Sequence, residues 1–168
     1  MRNHRLFAVI AGSVLLVVLT ACGASSRFKE KSNVVISDTS VHQVELSVDV
    51  IESRKIRVTF ENKSDKTYVY GKTYSLEYYS NGNWYKVPFN KDAGIFTHEG
   101  ILLGPAEEFA SKDPDKFICD PTGCLDVTLD GMGVLPQGHY RIIKGLSLLE
   151  DEGPARVDYH LAAEFDLE

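Results

Sequence analysis

The clearest guide to the fold is Val157-Asp158-Tyr159-His160-Leu161-Ala162-Ala163-Glu164-Phe165, near the C-terminus. Apolar and polar side chains alternate along it with a period of two, which is typical of a β-strand that buries one face. Val44–Val50 and Ile56–Glu61 alternate in the same way. Shorter candidate strands lie at 68–70, 73–79, 84–88, 95–103, 107–110, 125–129 and 139–144. Many short strands separated by Gly, Pro, Asn and Asp turns predict an all-β, antiparallel β-sandwich.

A turn and a tyrosine near one of these strands indicate a tyrosine corner. Leu135-Pro136-Gln137-Gly138-His139-Tyr140 leads directly into the candidate strand 139–144. In a tyrosine corner the phenol is buried and its hydroxyl bonds a backbone group a few residues upstream. The alternative is a plain Pro-Gly turn before a core tyrosine. In both interpretations Gly138 and Tyr140 are structural residues.

The dipeptide Asn81-Gly82 predicts a hairpin turn, and the loop length decides where Trp84 points. A two-residue loop pairs Tyr79 with Trp84 and exposes both rings on the outer face. A three-residue loop with Gly82 in a bulge shifts the register by one and turns Trp84 inward, next to Tyr78. The sequence leaves both registers open.

Several stretches resemble the bacterial immunoglobulin-like domains of secreted and lipid-anchored proteins. They are Glu61–Lys66, Tyr70-Gly71, Tyr74–Glu77, Gly82–Pro88, Leu135–Ile142 and Ala163–Phe165. The resemblance covers about residues 44–168 and implies an immunoglobulin-like sandwich with an extracytoplasmic, non-catalytic role. It also favours the inward, structural Trp84, because such cores usually contain a tryptophan. Phe117–Met132 departs from the family pattern, so we expect an insertion there that carries chain-specific function.

The N-terminus has the pattern of a bacterial secretory signal. Arg2 and Arg5 precede the apolar run Leu6–Leu19, which ends in Leu19-Thr20-Ala21-Cys22. That run is shorter than the roughly 20 residues that cross a bilayer. The segment resembles the lipobox of bacterial lipoproteins, which implies cleavage after residue 21 and attachment of lipid such as palmitate to Cys22. The protein would then be held at the extracytoplasmic face of the cell membrane, on the bacterial cell surface.

The charge distribution separates a basic tether from an acidic body. We predict a signal peptide at 1–21, a lipidated flexible tether at 22–33 and the sandwich domain at 34–168. Loss of residues 1–21 removes two basic residues and no acid, which moves the net charge from −6 to −8. The tether carries +2, so the domain carries −10. This balance argues against nucleic acid as a partner. The tether either contacts anionic headgroups or is an ordinary solvated spacer.

With Cys22 assigned to lipid, two cysteines remain. Cys119 and Cys124 flank Asp120-Pro121-Thr122-Gly123, whose residue types favour a type I turn that brings its flanks together. We therefore predict a Cys119–Cys124 disulfide, which would be a local clip because so short a loop loses little entropy. Two free thiols or a metal or redox site are the alternatives, and the latter has poor ligand spacing.

No catalytic motif stands out, so we predict a binding protein rather than an enzyme, without cofactor or metal. The mature histidines are scattered, and the acids of Asp113–Asp130 fit solvated loops better than a Ca2+ loop. The leading hypothesis is a module that binds an unidentified extracytoplasmic protein; the sequence does not indicate an oligomeric state. The alternative is a small-ligand or glycan-binding lipoprotein. Its candidate binding residues are Tyr68, Tyr70, Tyr79 and an exposed Trp84.

Overall fold

The computed structural model of the protein describes residues 28–90, 99–105, 120–150 and 153–168. These residues form one helical turn, α1, a 3₁₀ turn at Asp130–Met132 and nine strands. The elements are α1 (Thr39–His42), β1 (Val44–Glu52), β2 (Lys55–Asn62), β3 (Tyr68–Tyr70), β4 (Ser75–Ser80), β5 (Asn83–Lys86), β6 (Ile101–Leu103), β7 (Thr122–Thr128), β8 (Gly138–Glu150) and β9 (Gly153–Leu167). Within the described ranges, no helix is long and apolar enough to cross a membrane.

The strands form two antiparallel sheets. The smaller sheet has the order β1-β2-β7. The larger has the order β5-β4-β8-β3-β6, and β9 pairs with β8 along most of its length. This architecture confirms the predicted all-β sandwich. The candidate strand at 107–110 and residues 95–98 lie outside the described residues.

The core lies between the two sheets and is built by the alternation visible in the sequence. Along β2 every second residue from Ile56 to Asn62 is buried, and the residues between them face solvent or are half-buried. The larger sheet contributes a second set of alternate side chains, because inward residues of a strand are two positions apart. The fully buried members of that set include Leu76, Tyr140, Ile142, Leu146 and Leu161.

Strand β7 lies inside the stretch that we expected to be an insertion, so that expectation is wrong for the described part of 117–132. The strand pairs with β2 from Glu61↔Thr122 to Lys55↔Thr128. Val127, Leu129 and Met132 are buried in the common core. The segment therefore supplies a strand of the sandwich, because its own period-two pattern gives it an apolar face.

Strands β3 and β4 pair with the same edge of β8, and the pairing is interrupted between them at residues 71–74. Tyr70 pairs with Leu146 and Ser75 with Ile143, so Lys144 lies opposite the interruption. The Nζ of Lys144 donates to the carbonyl oxygens of residues 71 and 73, each at 2.6 Å. These bonds satisfy backbone acceptors that lack ladder partners. Lys144 is fully buried, and burial lowers its pKa to about 8.

The tyrosine corner is confirmed. Tyr140 is fully buried, and its hydroxyl donates to the carbonyl oxygen of Pro136 at 2.5 Å, four residues upstream. Gly138 has φ +148, and a Cβ there would lie 2.7 Å from the Tyr78 ring. The glycine is required both by the backbone conformation and by the ring that packs over it.

The N-terminal segment belongs to the fold from Phe28 onward, so the prediction of a flexible spacer through Asn33 is wrong for its last six residues. Phe28 is 2% exposed, and its ring centroid lies 5.4 Å from that of Tyr78. Lys31 pairs with Tyr85 at the free edge of β5. Buried aromatic surface and edge hydrogen bonds together hold the segment against the domain.

Candidate binding surface

The β4–β5 hairpin decides which aromatic rings reach the surface. Its turn has two residues, Asn81 and Gly82, with φ of +48 and +75, and Tyr79 pairs with Trp84. Asn-Gly tolerates positive φ at both positions, which a two-residue turn of this twist requires. The expectation of an inward, structural Trp84 is therefore wrong. Trp84 is half-buried and lies on the outer face of the larger sheet.

Tyr79, Trp84 and His139 form a compact cluster on this outer face, which we call the aromatic patch. The ring centroids of Tyr79 and Trp84 lie 5.0 Å apart, and that of His139 lies 5.6 Å from Trp84 and 6.0 Å from Tyr79. Tyr79 is 43% exposed. The three rings come from β4, β5 and β8, one from each strand, so the sheet fixes their relative positions.

A buried ion pair contacts the Trp84 ring of the aromatic patch. The guanidinium carbon of Arg141 lies 4.4 Å from the centroid of the Trp84 ring, within the range of a cation–π contact. The same guanidinium binds Glu77 Oε2 at 2.7 Å. Glu77 is 1% exposed, and its Oε1 has no hydrogen-bond partner among the described residues. The pair restricts Arg141 and, through it, the Trp84 ring.

His139 is held between two carboxylates. Its Nε2 lies 2.8 Å from Glu164 Oε2, and its Nδ1 lies 2.8 Å from Asp166 Oδ1. The hydrogen bond to Glu164, followed by that to Asp166, raises the pKa of His139 above its ordinary value of 6.5. The patch thus combines exposed rings with an acidic rim. Sequence reasoning missed this arrangement, because it becomes visible only once β8 and β9 are paired.

Two of the other candidate binding tyrosines are core residues, which corrects their assignment. Tyr68 is 2% exposed and Tyr70 is 4% exposed. The Tyr68 hydroxyl donates to the carbonyl oxygen of His42 at 3.2 Å. The Tyr70 ring packs against Phe60, with centroids 4.4 Å apart, and over the backbone of Gly123. Of the three tyrosines named from the sequence, Tyr79 is the one that reaches the surface.

The predicted disulfide is also corrected. Cys124 is a free, exposed cysteine in the middle of β7, and its Sγ lies 3.6 Å from the Thr59 hydroxyl. The expected turn over 120–123 is not formed, because Thr122 and Gly123 already pair with β2. Asp120 instead accepts a hydrogen bond from the Thr122 amide at 2.7 Å. Cys119 and Cys22 lie outside the described residues.

Two of the acidic residues that the structure describes near β7, Asp126 and Asp130, form ion pairs. Asp126 binds Arg57 at 2.8 Å, and Asp130 binds Arg54 at 2.9 Å. These hydrogen bonds lower the pKa of both carboxyl groups. No group of three or more His, Cys, Asp or Glu suited to a metal ion occurs among the described residues. Asp113 and Asp115 lie outside them.

Comparison with known proteins gives one family match. Residues 39–116 are similar to the family described as bacterial Ig-like domain. Strands β7 to β9 lie beyond the matched segment. A crystal structure of a protein from Archaeoglobus fulgidus is similar at 11% identity and a TM-score of 0.28, covering 74% of this chain and 95% of that one. No curated protein matches.

Proposed function

We propose that the protein is a lipid-anchored, extracytoplasmic, non-catalytic module that binds a protein partner through the aromatic patch. The lipobox-like Leu19–Cys22 supports the anchor. The match of residues 39–116 to the bacterial Ig-like domain family supports an interaction role. The observation that carries the proposal is the presence of Tyr79, Trp84 and His139 as neighbouring rings on one solvent-facing sheet surface.

The composition of the patch suits a protein interface. Tyr, Trp and Arg are the residues most often found at energetic hot spots of protein complexes. Here Arg141 is fixed by Glu77 and lies against Trp84, so little side-chain entropy remains to be lost on binding. The carboxylates of Glu164 and Asp166 lie beside the rings and favour a partner with a basic side chain opposite them.

Glycan binding remains a second candidate because exposed rings beside carboxylates can also contact sugars. Against it stands the position of Arg141, whose guanidinium already occupies one face of the Trp84 ring. Trp84 is the single tryptophan of the chain, so its fluorescence reports on the patch directly. A change in emission on titration with envelope glycans would favour the glycan candidate over the protein partner.

Site-specific photocrosslinking in living cells tests the proposal. A photoreactive amino acid at Tyr79 of the full-length protein should give a discrete protein adduct. The matched control is the same label at Val35, which is 81% exposed and lies outside the patch. Trp84→Ala should abolish the adduct at position 79. Equal adducts at both positions, or an adduct that Trp84→Ala leaves unchanged, would contradict a specific patch.

A further inference from the structure

An apolar groove lies beside the point where the chain enters the domain. Phe28, Pro88, Phe89 and Met132 line it, and its volume is about 320 Å³. The amide of Asn90 donates to the carbonyl oxygen of Gly131 at 2.8 Å and connects its two walls. The walls are mostly apolar, and Asn90 with the two glycines 131 and 133 completes the lining.

Three exposed aliphatic side chains lie on the segment after the groove wall and on β1 just before the turn that contacts this wall. Val134, one residue beyond the groove wall, is 69% exposed, and Val50 and Ile51 at the end of β1 are 45% and 41% exposed. Arg54 joins these elements, since its guanidinium donates to the carbonyl oxygen of Gly133 at 2.8 Å. The groove and these aliphatic residues together form what we call the apolar end.

The length of the preceding chain places the apolar end close to the proposed anchor. Five residues separate Cys22 from Phe28. Even a fully extended chain of that length spans only about 20 Å. Phe28 itself lines the groove. A lipid on Cys22 would therefore keep the groove within about 20 Å of the membrane interface, whereas a disordered tether through Asn33 would have allowed twice that distance.

Local charge also favours an anionic lipid surface. Next to the groove, two salt bridges cancel the charges of their partners. The pairs are Lys86–Glu30 and Arg54–Asp130. Lys29 and Lys31 remain as exposed cations on the same segment as Phe28, and neither forms a salt bridge with a described residue. Lysines outside salt bridges beside an apolar surface favour contact with anionic headgroups.

We propose that the apolar end is a membrane-docking surface. It lies against the boundary between headgroups and acyl chains of the bilayer in which the protein is anchored. The proposal rests on the proposed anchoring at Cys22. It assigns an orientation to the domain: the groove faces the lipid, and the opposite end of the sandwich points away. Apolar side chains flanked by lysines are the usual chemistry of surfaces that lie in the membrane interface.

Depth-dependent fluorescence quenching of the full-length, lipidated protein tests the orientation. In a background with Cys119→Ser and Cys124→Ser, single variants Val134→Cys and Asp65→Cys accept an environment-sensitive fluorophore. Asp65 is exposed and follows β2 at the opposite end of the sandwich, roughly 25 Å along β1. The proteins are reconstituted into phosphatidylglycerol-containing vesicles whose headgroups carry a nitroxide quencher. We expect loss of fluorescence at position 134 and none at position 65.

The controls distinguish failure of the orientation from failure of the anchor. Mass spectrometry of the N-terminal peptide establishes whether Cys22 is acylated. If it is acylated and positions 134 and 65 are quenched equally, the docking surface is refuted while the anchor stands. If Cys22 carries no lipid, the anchor itself is refuted. A Val134→Cys protein that forms disulfide-linked dimers and escapes quenching would show that a second copy covers the groove, which also refutes the proposal.

Discussion

At the scale of single residues, the Tyr140 hydroxyl connects the start of β8 to the turn before it. The bond to Pro136 is made by a group that is fully shielded from water. Pro136 is half-buried, so removing the hydroxyl costs the net contribution of one hydrogen bond and part of the desolvation of its acceptor. The corner is therefore a stability device rather than part of the binding surface.

Tyr140→Phe should lower the free energy of unfolding by about 1–3 kcal/mol, since it removes the hydroxyl and leaves the ring in place. Urea denaturation at neutral pH measures the effect. The matched control is Tyr79→Phe, because Tyr79 is exposed and its hydroxyl makes no hydrogen bond with the described residues. Equal midpoints for the two variants would mean that the corner bond contributes nothing measurable.

His139 should titrate above pH 6.5, because Glu164 and Asp166 stabilise its charged form. A raised pKa in the folded state means that the contribution to stability is fully present below about pH 6.5 and is lost as pH rises through the folded value. NMR titration of the imidazole in the wild type and in Glu164→Gln measures this, and the variant should titrate closer to 6.5. A wild-type value at or below 6.5 would contradict the ion-pair geometry.

At the scale of elements, β7 depends on a close approach between the two sheets. Gly123 pairs with Phe60, and the Tyr70 ring occupies the space that a Cβ of residue 123 would need. Gly145 in β8 provides a contrast, because a Cβ there meets nothing within 4 Å. The two glycines therefore have different roles in the sandwich.

Gly123→Ala should destabilise the protein by about 1–3 kcal/mol, because the added methyl group displaces the Tyr70 ring from a packed core. Gly145→Ala, the matched control, should be neutral or slightly stabilising, since it mainly reduces the freedom of the unfolded chain. Thermal denaturation of both variants provides the comparison. If both behave alike, the contact between Gly123 and Tyr70 does not constrain the core.

Cys124 should react rapidly with a maleimide reagent in the native protein, because its thiol is exposed and unpaired. Cys124→Ser should change the free energy of unfolding by less than about 0.5 kcal/mol, as expected for an exposed position. The thiol count of native protein and the urea midpoint of the variant are the measurements. Absence of a reactive thiol at this position would restore the disulfide hypothesis.

The pattern of alternating residues was enough to predict strands, but it did not predict the length of the hairpin loop or the pairing of distant strands. The period of two in β1, β2 and β9 is a local signal, and the tyrosine corner likewise lies within six residues. The side on which Trp84 lies depends on one residue of loop length, and the family likeness favoured the wrong choice. The contacts of His139 depend on pairing with residues 25 and 27 positions later, which no local pattern specifies.

At the scale of the whole molecule, the proposed anchor determines where the domain acts. Cys22→Ala should prevent lipidation and leave either unprocessed precursor or a released soluble form. The physical reason is that acyl chains supply the apolar area that holds such a protein in the bilayer. Membrane fractionation with metabolic lipid labelling is the measurement. A lipid-labelled, mature-length Cys22→Ala protein in the membrane fraction would overturn the lipoprotein proposal.

The docking of the N-terminal segment also shields the molecule from its own copies. Strand β5 is the last strand on its side of the sheet, and an uncovered edge offers free amides and carbonyls to any neighbouring chain. Ser32 donates to the Trp84 carbonyl, and the Lys86 amide donates to Glu30, so both kinds of group are already occupied. This short stretch therefore leaves fewer backbone groups of β5 available for pairing with a second copy of the chain.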